Sequence, residues 1–120
     1  MIKSQLPLIV SHSTSAEEAQ WQLFVPADYP AFAGHFTGHP ILPGVVQLDW
    51  AIQLGCQHFG YTAAVAHVEV LKFQQLIQPE AKVTLTVQHL ANKRKLQFHF
   101  SDATHRYASG RLAFAEDISQ

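Results

Sequence analysis

The segment from Gly44 to Phe59, GVVQLDWAIQLGCQHF, constrains the fold more than any other. It carries apolar side chains on most of its helical faces: Val45, Val46, Leu48, Trp50, Ala51, Ile52, Leu54, Cys56 and Phe59. A helix of that kind belongs inside a protein rather than on its surface. Pro43 stands where a helix can begin, because its missing N–H would be unpaired there anyway. Gly60 suits the stop, and Gly55 weakens the middle slightly. At 120 residues the chain has the length of one domain, so its remaining segments must supply the cover.

After the helix the hydrophobic period changes. Ala66–Leu76, Lys82–Leu90, Leu96–Phe100 and Arg106–Ala115 read as strands. Val83, Leu85 and Val87 alternate with Thr84, Thr86 and Gln88, and Leu96, Phe98 and Phe100 alternate with Gln97 and His99. That period of two marks half-buried strands. ANKRK (91–95) and Ser101–His105 have the composition of hairpin turns. Before the helix, Leu6–Val10 and WQLFVPA (21–27) read as short strands. Ser15 to Glu18 between them has the spacing of a turn or a short helical start. The expectation is an α+β fold, with an antiparallel sheet curved about one central helix. Its edge strands are candidates for pairing with a second copy. No repeat, low-complexity run or linker divides the sequence, so a single domain over 1–120 is expected.

Composition narrows the class. Hydrophobic residues make up 48% and charged residues 14%, which is globular and argues against disorder. A formal net charge of -1 provides no field to draw in nucleic acid or an anionic membrane. The lone Cys56 excludes an internal disulfide framework and fits a reducing cytoplasm. The N-terminal MIKSQLPLIVSHS has too short an apolar run for a signal peptide, and no stretch approaches membrane-span length.

The chemistry concentrates in GHFTGHPILPGVVQLDWA, Gly34 to Ala51. From Tyr29 to Val68 the only Asp, Glu, Lys or Arg is Asp49. Burying a lone charge in an apolar run is expensive, so a use for it is expected. Its spacing places Asp49 on a stripe with Val45, Ile52 and Cys56. The helix dipole favours its charged form and desolvation its protonated form; a carboxyl held partly protonated can serve as a general acid. His35 lies in the preceding Gly/Pro-rich loop, where a neutral imidazole can act as a base. Gly44 offers a free N–H at the helix start, able to stabilise negative charge on a carbonyl oxygen. Base, acid and oxyanion donor are the parts needed for proton abstraction beside a carbonyl followed by loss of a hydroxyl. Each alone has a plainer reading, a polar loop histidine or a tolerated buried acid. The combination at this spacing favours catalysis.

His35 and His39 also have a zinc-like spacing, but Gly38 and Pro40 break helical geometry and no third ligand is evident. Phe32, Phe36, Val45 and Trp50 are candidates for lining an apolar substrate pocket, although large apolar residues are more often core. Lys93-Arg94-Lys95 can be read as a dock for an acidic partner protein or, more simply, as a solvated hairpin tip.

The quoted segment resembles the active-site segment of the 3-hydroxyacyl-[acyl-carrier-protein] dehydratases. Their pattern is approximately G-H-F-x-G-x-P-x-x-P-G, with an acidic residue early in the following helix. HVEVLKFQQLIQPEAKVTL (67–85) is similar to the family's Lys-Phe strand and the turn after it. The resemblance implies the hotdog fold, a long helix wrapped by an antiparallel sheet and paired into dimers, with larger or mixed assemblies open. It implies His35 as base, Asp49 as acid from the facing subunit, and Gly44 as the donor to the thioester carbonyl. It implies an acyl chain on the phosphopantetheine arm of acyl carrier protein as substrate, with no metal or redox cofactor. Asp49 stands where many of these enzymes have Glu, Thr37 where Pro is common, and Pro79-Glu80 where Pro-Gly is usual. ILPGVVQLDWA is also similar to dehydratases of specialised pathways, notably aryl polyene synthesis. The rival expectations are a hotdog acyl thioesterase, which would not need His35, and a non-catalytic acyl-binding subunit, which would need neither His35 nor Asp49.

Overall fold

The computed structural model describes residues 4–32, 40–62 and 65–115. Six strands form one antiparallel sheet: β1 (Leu8–Thr14), β2 (Glu18–Phe24), β3 (Val65–Phe73), β4 (Lys82–Leu90), β5 (Lys95–Ser101) and β6 (Arg106–Phe114). Their order across the sheet is β1-β2-β4-β5-β6-β3, so β1 and β3 are the edges. One helix, α1 (Gly44–Phe59), lies against the sheet. Pro43 leads into it in an extended conformation. Gly60 ends it with φ of 77° and returns its N–H to Cys56 O, a left-handed stop that glycine adopts without strain.

The core forms where the period-two faces of β2, β4, β5 and β6 meet the helix. Trp21 and Leu23, Val83, Leu85 and Val87, Leu96, Phe98 and Phe100, and Ala108 and Leu112 all point inward. From α1 come Val46, Trp50, Ala51 and Leu54. Gly55 has a structural reason. A Cβ there would stand 3.1 Å from Leu96 Cδ1 and 3.5 Å from Val87 Cγ1, so its small size lets the helix approach the sheet. The modest loss of helix propensity is offset by that close packing.

Three expectations need correction. The first strand runs Leu8–Thr14, not Leu6–Val10, because its pairing with β2 carries through the polar Ser11–Thr14. The second begins at Glu18 and ends at Phe24. Between the two strands Ser15 N–H donates to Glu18 O across a tight hairpin turn, the turn of the two readings open there. The third concerns the helix, which is not covered on all sides. Val45 is 63% exposed, and Leu48, Ile52, Cys56 and Phe59 are only partly buried. A single sheet can shield one side of a helix, and the other side stays open in a lone chain.

Candidate active site

Asp49 is 3% exposed, at the border between the sheet-facing and open sides of α1. Its Oδ2 accepts a hydrogen bond from the Ser4 main-chain N–H and a second from Gln53 Nε2 at 2.9 Å. Gln53, one turn further along α1, also donates to Ser4 O at 2.7 Å. Trp50 Nε1 donates to Gln5 O at 2.9 Å and to the Tyr29 hydroxyl oxygen at 3.1 Å. The Tyr29 O–H itself donates to Gln5 O. Burial pushes the Tyr29 phenol above its ordinary range; the Trp50 hydrogen bond opposes this and the nearby Asp49 charge adds to it. The lone acid is therefore buried but partnered, as a buried charge must be.

Gly44 opens α1 at the same end. The ring of Phe73, from the end of β3, lies directly over it, so that a Cβ at Gly44 would come within 2.7 Å of Phe73 Cζ. Phe73 is half-exposed. The approach to Gly44 is thus flanked by a half-exposed ring, which any side chain at position 44 would have to push aside. Leu42 N–H donates to Ile77 O at 2.8 Å, which ties the run into the helix to the β3–β4 connection.

Of the residues expected from the sequence, Asp49 and Gly44 sit on the same helix, within its first two turns. His35 and Phe36, with His39 of the metal reading, lie outside the described residues. Phe32 and Trp50 are core: Phe32 is 7% exposed and Trp50 is wholly enclosed, so neither offers a ligand much surface in the single chain. Val45 is on the open side of α1. The basic run is largely used internally. Arg94 bonds Ala115 O and lies over the Tyr61 ring, and Lys95 pairs with Glu69 at 3.0 Å. Clefts of ≈ 390 Å³ beside Glu17 and Leu90–Lys93, and of ≈ 370 Å³ beside His12, Trp21 and His58, lie away from Asp49. Gln53, Ser4, Tyr29 and Phe73 were not anticipated. Only Gln53 carried a signal, its i, i+4 spacing from Asp49.

A sheet of this order wrapped on one helix that bears a buried acid defines the hotdog class of proteins. Residues 11–111 match the ApeI-like family, described as ApeI dehydratase, and the chain belongs to that family. Among solved structures, a chain of the dehydratase heterocomplex ApeI:P from Xenorhabdus doucetiae is 26% identical with a TM-score of 0.87, covering 93% of this chain and 100% of that one. An uncharacterized protein from Erwinia carotovora subsp. atroseptica is 30% identical with a TM-score of 0.77, covering 96% and 100%. Among curated proteins, the 3-hydroxyacyl-[acyl-carrier-protein] dehydratase FabZ of Desulfotalea psychrophila is 34% identical over 76 residues, 56% of this chain and 51% of that protein. The FabZ of Ehrlichia chaffeensis is 30% identical over 95 residues, 74% and 64%. The chain spans about half the length of the first of the curated relatives it matches.

Proposed function

We propose that this chain, acting as one hotdog domain, dehydrates a 3-hydroxyacyl thioester carried on acyl carrier protein, in fatty acid or aryl polyene synthesis. The observation that carries the reading is Asp49: the one charge between Tyr29 and Val68, buried and hydrogen-bonded, on the helix that Gly44 opens, in a chain of the ApeI-like family. His35 removes the C2 proton. The Gly44 N–H steadies the enolate-like oxygen of the thioester. Asp49 gives its proton to the departing C3 hydroxyl, directly or through water. The C2–H electron pair becomes the new C2–C3 double bond, the C3–O bond breaks, and the products are a trans-2-enoyl thioester and water.

The open side of the chain supports a second copy or a related subunit. Val45 on α1 and Val68, Val70, Leu71 and Phe73 on β3 are apolar and exposed in the single chain, the kind of patch that marks an interaction surface. The ApeI neighbour is described as part of a heterocomplex, which favours testing mixed as well as homodimeric assembly. In such a pair Asp49 serves the His35 of the facing subunit. Among the described residues no helix is long and apolar enough to cross a membrane, in keeping with a carrier-protein substrate in the cytoplasm. Of the pocket candidates in the described residues, Val45 is the one outside the single-chain core, and Phe36 stays a candidate from its place in the sequence motif.

The test is incubation with a panel of 3-hydroxyacyl-carrier proteins, read by mass spectrometry, beside His35→Ala and Asp49→Asn. Loss of water in the wild type, falling by a factor of about 100 or more in each variant, supports these roles. Release of free carrier-protein thiol would instead identify a thioesterase. Binding of the panel without conversion, alone and with a partner subunit, would identify an acyl-binding module.

A further inference from the structure

The hydrogen bonds around Asp49 reach a segment remote in sequence and devoid of charge. Ser4 and Gln5 run past α1 ahead of β1, and four side chains hold them by main-chain atoms alone. Asp49 accepts from Ser4 N–H, Gln53 donates to Ser4 O, and Trp50 and Tyr29 both donate to Gln5 O. Beyond them Leu6 packs against the core and Pro7 is buried, which fixes the far end of the segment. Both hydrogen bonds that the described residues make to Asp49 fall on Oδ2. Two donors on one oxygen, one from the segment and one from α1, hold that oxygen in place from two sides.

We propose that the main chain of Ser4 and Gln5 is a strap that positions the Asp49 carboxylate for proton transfer, with the Ser4 N–H as its contact. The inference rests on the reading of Asp49 as the acid. The strap works through Asp49 and does not itself touch the reacting atoms. Pre-organised donors of this kind set an angle that a lone side chain on a helix would not keep. Gln53 completes the clamp, because its one amide group bridges Ser4 O and Asp49 Oδ2. Among the described residues Tyr29 is the titratable group that faces the carboxylate, and its hydroxyl donates to Gln5 O.

The variant that isolates the contact is Ser4→Pro, which deletes the N–H and keeps the carbonyl. Ser4→Ala is the control, since the Ser4 side chain takes no part in these contacts. Dehydration of a 3-hydroxyacyl-carrier protein turned over by the wild type is followed across pH, with folding checked by circular dichroism. Ser4→Ala is expected to match the wild type. Ser4→Pro is expected to lower kcat about tenfold with KM within about twofold. The fall in rate at high pH is expected to move to higher pH, because an N–H that stabilises the carboxylate is gone. A merely structural role would lower the active fraction without moving that limb. Tyr29→Phe, which loosens the strap at Gln5 and removes no hydrogen bond to Asp49, is expected to shift the limb the same way by less, and it serves if Ser4→Pro does not fold. Wild-type kcat and pH profile in both variants would overturn the strap while Asp49→Asn stays inactive. A raised kcat would overturn it too, by showing that the segment is a cover to be displaced. Full turnover by Asp49→Asn would instead remove the acid reading itself.

Discussion

Strands β5 and β3 are both rich in apolar residues and belong to the same sheet, yet they end in different environments. β5 lies between β4 and β6 in unbroken register with β4, and its Leu96, Phe98 and Phe100 are almost wholly enclosed. β3 is an edge strand, and its Val70 is 62% exposed. Its register with β6 slips between Glu69 and Lys72, so that Val70 and Leu71 stand opposite Gly110 alone. Val70 takes φ of 45° there, a left-handed conformation that β-branched residues rarely adopt. The same residue types therefore do two jobs. On β5 they close the chain's own core. On β3 they are held outward by a bulge, beside the open side of α1, where Val70, Leu71 and Phe73 stay exposed in the single chain. The apolar edge and the Gly44 end of the helix share that side, since Phe73 of β3 lies over Gly44.

The sharpest way to break this comparison is to truncate one ring on each strand. Phe98→Ala empties a fully enclosed site and is expected to lower stability by about 3–5 kcal/mol in urea unfolding. Phe73→Ala removes a half-exposed ring and is expected to lose about 1 kcal/mol or less in dilute solution. Equal losses would mean that β3 is covered under those conditions. Unfolding at several protein concentrations would then show a stability that rises with concentration, as mass action requires.

The difference between the strands also explains what could be read from the sequence. The helix bounds Gly44–Phe59 and the inward alternation of β4 and β5 were legible, because local pattern and burial agree there. The start and end of β1 were not: its Ser11–Thr14 half is a strand only because β2 is available to pair with it. The apolar Leu6 looks like strand but belongs to the segment docked on α1. Asp49 was legible because a lone charge in an apolar run needs a reason. Its Ser4 partner was not, because a main-chain N–H leaves no mark in residue identity. Phe73 over Gly44 depends on how β3 is aimed after its bulge, which no local period encodes.

The bulge itself gives a smaller effect of unusual sign. In a regular buried strand such as β4, replacing valine by glycine loses packing and adds chain entropy to the unfolded state. At Val70 the side chain is mostly in water, and the left-handed backbone costs it about 1–2 kcal/mol. Glycine escapes that strain but loses about 0.5–1 kcal/mol in conformational entropy. Val70→Gly is therefore expected to be neutral or to stabilise by up to about 1 kcal/mol, read as a shift of the urea midpoint with unchanged slope. A clear loss of stability would mean that β3 runs as a regular extended strand.

The smallest effect concerns the outer face of β5. His99 sits there between Thr86 of β4 and Ser109 of β6. Burial pushes its imidazole below the usual histidine range; the Arg106 charge works in the same direction and Glu18 against it. The unfolded chain titrates this group near about 6.5 and the folded chain only at lower pH. As pH falls through that value the unfolded state takes up a proton first, so stability declines there, and the decline levels off once the folded His99 is also protonated. His99→Gln removes this contribution and no other. Melting temperatures from about pH 7 to about pH 5 are expected to fall less in His99→Gln than in the wild type, the gap opening below about 6.5. Parallel curves would mean that the convex side of β5 is as wet as an edge strand, and the contrast with β3 would then hold only for the faces turned toward α1.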